Sequence, residues 1–249
     1  MTRAAIVLAF TAAVLCASPA AAQESLVQRG RDLYVQGCIS CHGPEGRGVS
    51  TLGPARGAGG VRGAGPSLRG VGALAADFYL STGYMPLDDP YDQPHRNDPA
   101  YDRAQIRALV AYIASFGGPR VPRPNAHRGS VALGMRLFTE HCSGCHQIVG
   151  QGGVVPGGVA PALDAATPVQ VAEAVRIGPY LMPRFSKRQV TDRQLDSIIA
   201  YVEYAERPLD KGGWSIGHVG PVPEGIVAWL VAGGVLVLTA VVIGAKGPR

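Results

Sequence analysis

Ile106, Leu109, Val110 and Ile113 recur at i, i+3, i+4 and i+7, the spacing that lines one face of an α-helix. Leu195, Ile198, Ile199 and Val202 repeat it, and Tyr112 and Tyr201 hold equivalent places in the two segments. Upstream, Leu26, Gly30, Leu33 and Tyr34 share another helical face. The order Gly30-x3-Tyr34-x3-Cys38 returns as Gly134-x3-Phe138-x3-Cys142. The chain therefore reads as two copies of one helical module. The small Gly30 and Gly134 predict that the first and last helices of each module cross closely. A short helix is expected between them, over 73–81 in the first copy and ending near Gly83. Its counterpart starts at Thr167-Pro168-Val169-Gln170, a capping residue, a proline at the first helical position and Gln three after the cap. It ends by Gly178, and Thr191-x-x-Gln194 opens the last helix with a second capping box. The expected fold class is mainly α.

The two ends of the chain depart from this pattern. Residues 226–243, IVAWLVAGGVLVLTAVVI, carry no charge. As a helix they span about 27 Å, close to the hydrocarbon thickness of a bilayer. Trp229 sits near the outer end and Lys246 and Arg249 follow, which puts the tail in the cytoplasm and the bulk of the chain outside. At the other end Arg3, an apolar run over 4–17 and Ala20-Ala21-Ala22 read as an export signal cleaved before Gln23. An uncleaved first anchor is the alternative. Cys16 falls inside this segment, and the bulky Leu15 before it speaks against a lipoprotein.

The formal net charge is +5, yet basic and acidic side chains nearly balance within each module. The surplus lies in Arg120, Arg123 and Arg128 of the connector and around the anchor. That is no nucleic-acid footprint. Near-neutral modules point to docking on a fixed partner rather than to long-range steering. Abundant Gly and Pro with few aromatics suit small helices joined by long loops around a cofactor. The Pro-rich connector is stiff. Residues 88–99, DDPYDQPHRNDP, form a polar insertion that reads as a solvated loop, with docking as the alternative.

The chemistry lies in Cys38-Ile39-Ser40-Cys41-His42 and Cys142-Ser143-Gly144-Cys145-His146. C-x-x-C-H attaches c-type haem. Two thiols one helical turn apart add to the two vinyl groups of one porphyrin, and the following His offers a nitrogen to the iron. Disulfides or two zinc knuckles would use the same thiols, but neither requires a His after each second Cys. Haem c at Cys38, Cys41, Cys142 and Cys145, with His42 and His146 on the irons, is the expectation. Pro66 and Pro161 follow at matching places, where a carbonyl can accept the Nδ1–H of each His; a plain turn proline is the other reading. For the opposite face of each iron, Met85-Pro86 and Met182-Pro183 lie on loops after the second helix. Met135 precedes Cys142 on the first helix and is assigned to core packing. His95 competes for the first site and His141 for the second, though His141 adjoins Cys142 on the wrong side. His127 and His218 read as surface residues. No catalytic residue is expected.

With these residues placed, the chain resembles the dihaem cytochrome c subunit of the actinobacterial-type quinol–cytochrome c reductase, the cytochrome bcc complex. Gly65-Pro66-Ser67-Leu68, Ala76-Asp77-Phe78, the run 81–87, Gly178-Pro179 with Met182-Pro183, and the pre-anchor stretch 217–225 carry the resemblance. It implies electron transfer from the Rieske iron–sulfur subunit beside cytochrome b, through two haem c groups, to cytochrome c oxidase. Tyr84 departs from the family, where Arg is expected before the Met. The implied organisation is signal 1–22, cytochrome c domain 23–117, linker 118–128, cytochrome c domain 129–206, pre-anchor segment 207–225, transmembrane helix 226–244 and cytoplasmic tail 245–249. An electron-accepting subunit of a periplasmic dehydrogenase is the alternative.

Overall fold

The computed structural model describes residues 19–49, 65–87, 95–207 and 221–245. The apolar run at 4–17, the stretch 50–64, most of the polar insertion, His218 and the basic tail residues lie outside them. The first module holds α1 (Pro19–Gly37), the one-turn α2 (Ile39–His42), α3 (Gly72–Ser81) and α4 (Arg103–Ala114). The second repeats the order with α5 (Val131–His141), the one-turn α6 (Ser143–His146), α7 (Pro168–Ile177) and α8 (Asp192–Glu206). Between α6 and α7 it adds an antiparallel hairpin of β1 (Gly153–Val155) and β2 (Gly158–Ala160), which the sequence pattern did not foretell.

Helix starts follow local chemistry. Thr167 and Thr191 form the two expected capping boxes with Gln170 and Gln194. Asp102 forms a third with Gln105, immediately before the Ile106 periodicity and not anticipated from the sequence. Gly178 closes α7 in the left-handed conformation at φ 65°, which costs glycine nothing.

Each module is built on the crossing of its first and last helices. A Cβ at Gly30 would lie 1.9 Å from the Ala108 carbonyl oxygen, and one at Gly134 would lie 1.9 Å from that of Ser197. Only glycine permits that approach. Beside each crossing an aromatic pair packs in the same way. Tyr34 meets Tyr112 with ring centroids 5.3 Å apart, and Phe138 meets Tyr201 at 5.3 Å. Leu109 and Ile199 are fully buried next to them.

The modules touch directly, through α3 and α7. Gln170 Nε2 donates to the Ser81 carbonyl (3.2 Å) and hydroxyl (3.1 Å). Arg96, from the end of the polar insertion, donates to the Ala165 carbonyl (2.7 Å) and to Gln170 Oε1 (3.3 Å). Expected to be merely solvated, this end of the insertion instead clasps the second module. The linker is tied at both ends. Leu74 N donates to the Pro119 carbonyl at 3.1 Å, and Asn125 N donates to the Asp196 carboxylate at 2.7 Å.

A separate unit, Pro208–Arg249, contains α9 (Pro221–Ala245). Over Gly225–Ala245 its mean hydropathy is 2.7, long and apolar enough to cross a membrane.

Candidate haem-binding sites

The end of α1 feeds straight into the first motif. His42 N donates to the Cys38 carbonyl at 2.9 Å, and Cys41 N to the same oxygen at 3.2 Å. In the second motif His146 N and Cys145 N donate to the Cys142 carbonyl at 2.9 and 3.1 Å. Each pentapeptide is thus one wound turn. All four thiols are free, with Cys38, Cys41 and Cys142 half-buried and Cys145 exposed. Burial pushes the Cys38 and Cys142 thiols up to about 11, so both stay protonated and uncharged at neutral pH.

Both imidazoles are held the same way. His42 Nδ1 lies 2.8 Å from the Pro66 carbonyl oxygen, and His146 Nδ1 lies 3.0 Å from that of Pro161. A carbonyl can only accept, so Nδ1 carries the proton and Nε2 keeps its lone pair. These are the two prolines expected to orient the rings. His146 is buried, and that burial lowers its pKa against the pull of the Pro161 bond. The neutral ring, the form that binds iron, is favoured.

Further bonds fix the chain just past each His. Gly48 N donates to the His42 carbonyl (2.7 Å) and Gly152 N to that of His146 (3.0 Å). Tyr34 donates its hydroxyl to the Gly43 carbonyl, and Tyr201 donates to Ile148, both at 2.7 Å. The same anchoring is done by a tyrosine of the first helix in one module and of the last helix in the other. Tyr34 and Tyr201 were visible in the sequence; the role of their hydroxyls was not, because a ring on an apolar face reads as core.

Met85 packs on the first core cluster together with Cys38, Ile39 and Leu68. Met182 packs on the second with Cys142, Leu163 and Phe185. Each methionine therefore borders the apolar wall that the first cysteine of its module's motif borders. Arg176 braces the segment after Met182, donating to the Phe185 (3.2 Å) and Val190 (2.8 Å) carbonyls and to Asp192 (2.9 Å). Tyr84, the departure before Met85, stacks on Phe78 with centroids 5.8 Å apart. The Tyr180 hydroxyl, two residues before Met182, is buried and meets no hydrogen-bond partner among the described residues.

Met135 is not core. It is 51% exposed on α5, because that helix turns Gly134, Leu137 and Phe138 inward instead. His95, His127 and His141 lie at the surface. Among the described residues no group of three or more His, Cys, Asp or Glu could hold a metal ion.

This donor set fits haem c. Paired thiols on one turn, an imidazole with its proton fixed on Nδ1 and a thioether on the apolar wall suit such a group.

Known proteins give the same picture. The "Cytochrome c" family model matches residues 27–117, and "Cytochrome C oxidase, cbb3-type, subunit III" matches residues 129–202. The cytochrome bc1 complex cytochrome c subunit of Corynebacterium diphtheriae is 36% identical over 243 residues, covering 90% of this chain and 82% of its own. That of Mycobacterium bovis is 38% identical over 250 residues, covering 94% and 85%. The cbb3-type cytochrome c oxidase subunit CcoP of Azospirillum is more distant, at 28% identity over 70% of this chain and 60% of its own. Two tandem cytochrome c modules, matched almost end to end by such relatives, make this chain a member of the cytochrome c subunit family of cytochrome bc1 complexes.

Proposed function

We propose that the chain is the membrane-held dihaem electron carrier of a quinol–cytochrome c reductase. It takes electrons from the Rieske iron–sulfur subunit beside cytochrome b and delivers them to cytochrome c oxidase. The observation that carries this reading is the near full-length match to subunits named for that complex. A haem c in each module supplies a one-electron couple.

The chain's residues hold and protect that couple. Cys38 and Cys41 fasten one porphyrin, Cys142 and Cys145 the other. His42 and Met85 would ligate one iron, and His146 and Met182 the other, so that the groups would carry electrons rather than bind a substrate. The Pro66 and Pro161 carbonyls keep each ring's Nε2 aimed. The cytochrome domains extend over 23–117 and 129–206, outside the cytoplasm, with removal of 1–22 and a single span at 226–244 as their tether.

The test is gentle purification in mild detergent, followed by an absorbance spectrum and a quinol oxidation assay. Co-purifying b-type and a-type bands with quinol oxidation uphold the reading. A c-type band alone, beside a soluble dehydrogenase, overturns it in favour of an anchored acceptor for that enzyme.

A further inference from the structure

Glu173 lies in the middle of α7 with no exposure to solvent. Neither of its carboxylate oxygens meets a hydrogen-bond donor among the described residues. Its polar neighbour is the half-buried Asp77 carboxyl, which comes from α3 of the other module. Two ionised carboxylates offer only acceptors and repel. They can bond to each other only if one proton lies between them.

The surrounding charges supply no substitute. Arg96 directs its guanidinium at Ala165 and Gln170. Arg176, on the same helix, is turned to Asp192 and two carbonyls. From α8, Asp196 is paired with Arg128. Tyr79 and Tyr84 on the α3 side have pKa values raised by burial and stay neutral. Burial first, and then the Asp77 charge, push the Glu173 carboxyl up to about 9.

The pair sits where the modules meet. Asp77 and Ser81 are i, i+4 on α3, and Gln170 and Glu173 are i, i+3 on α7. Each pair shares one helical face. The carboxyl contact therefore continues the seam that Gln170 makes with Ser81.

We propose that Asp77 and Glu173, sharing one proton, are positioning residues that hold the two cytochrome modules together, and that loss of this proton opens their junction. The proposal rests on the dihaem reading, since electrons cross this junction only if each module carries a haem. Removing the proton leaves two negative charges in contact in a poorly solvated seam, where repulsion is strong. The helices then part, and transfer between the modules slows with their separation.

The experiment uses the full-length, haem-loaded chain in detergent. Infrared spectra recorded from neutral to alkaline pH should show an exchangeable protonated-carboxyl band that disappears on passing about 9. Glu173→Gln, which keeps the volume and lends Asp77 an amide donor, should lack that band. In Asp77→Asn, with the neighbouring charge gone, the band should titrate at lower pH. Electron equilibration between the haems after flash photoreduction should slow several-fold across the same range in the unmodified chain and stay level in Glu173→Gln. Absence of the band, its persistence in Glu173→Gln, or an equal slowing in both proteins would overturn the proposal. A covalent haem count below two per chain overturns the dihaem reading instead, and the infrared titration still decides whether the pair shares a proton.

Discussion

At the scale of single residues, each site depends on few atoms, and their roles separate cleanly. On the proposed reading the thiols would fasten the haem, the imidazole is aimed through Nδ1, and the methionine sulfur would tune it. A thioether raises a haem potential relative to a second imidazole. Met182→His should therefore lower one of two midpoints in a redox titration, by a sizeable part of the ~0.8 V that axial ligands span. The other midpoint should stay in place. If neither moves, Met182 is not on the iron. The thiols allow an independent check on the count. Cys142→Ala combined with Cys145→Ala should leave one covalent haem per chain in a pyridine haemochrome assay, and recovery of two would refute one site per module. The two C-x-x-C-H motifs were legible beforehand because their spacing is set by the chemistry. The tyrosine hydroxyls were not. Tyr34 and Tyr201 anchor equivalent loops from non-equivalent helices, so alignment of the two copies hides their common task.

At the scale of elements, the repeat is a repeat of contacts as much as of sequence. Leu68 N donates to the Gly46 carbonyl and Leu163 N to that of Gly150, both at 2.8 Å, so the loops below the two imidazoles close alike. The first and last helices of each module were legible from periodicity and from the repeat, but only α7 and α8 had their starts read from caps. The β1–β2 hairpin was not, because six residues rich in Gly and Val carry too little pattern to separate a strand from a loop. Met135 misled for a related reason: an apolar residue on an amphipathic helix reads as core unless the inward arc is known to be filled by Gly134, Leu137 and Phe138. The glycine crossing is the strictest demand any element makes. Gly134→Ala would drive a methyl group into the Ser197 carbonyl, and backbone on both sides must move. The expected cost is about 3 kcal/mol or more, seen as a lower melting temperature of the haem-loaded chain. An unchanged melting temperature would mean that α5 and α8 slip apart freely, contrary to the packing of Phe138 on Tyr201.

At the scale of the whole molecule, the two modules form one structure through polar contacts that no sequence pattern announces. Glu173 and Gln170 are polar residues among the apolar ones of α7, yet both are buried, on a face covered by α3. Periodicity reports that a helix has an inner side; it cannot report that its outer side meets another domain. That hidden burial has a consequence for stability against pH. Glu173 titrates near 4.5 when exposed and at about 9 in the fold. Between those values the folded chain keeps a proton that the unfolded chain has lost. Stability from this group is therefore complete below about 4.5 and is lost as pH rises through about 9. Asp77, raised by burial, adds to the same trend. Asp192, held below the usual carboxylate range chiefly by Lys187, with Arg176 also pairing with it, acts oppositely and loses its contribution as pH falls. The first effect is larger, at most about 3 kcal/mol between pH 4.5 and neutrality. The melting temperature of the haem-loaded chain should thus fall by several degrees from weakly acidic to alkaline pH. In Glu173→Gln the fall should be much smaller, with the variant gaining most at the alkaline end, where the buried carboxylate would otherwise be charged. A variant that melts in parallel with the unmodified chain across the range would show that Glu173 ionises without cost, and that the seam between α3 and α7 is open to water.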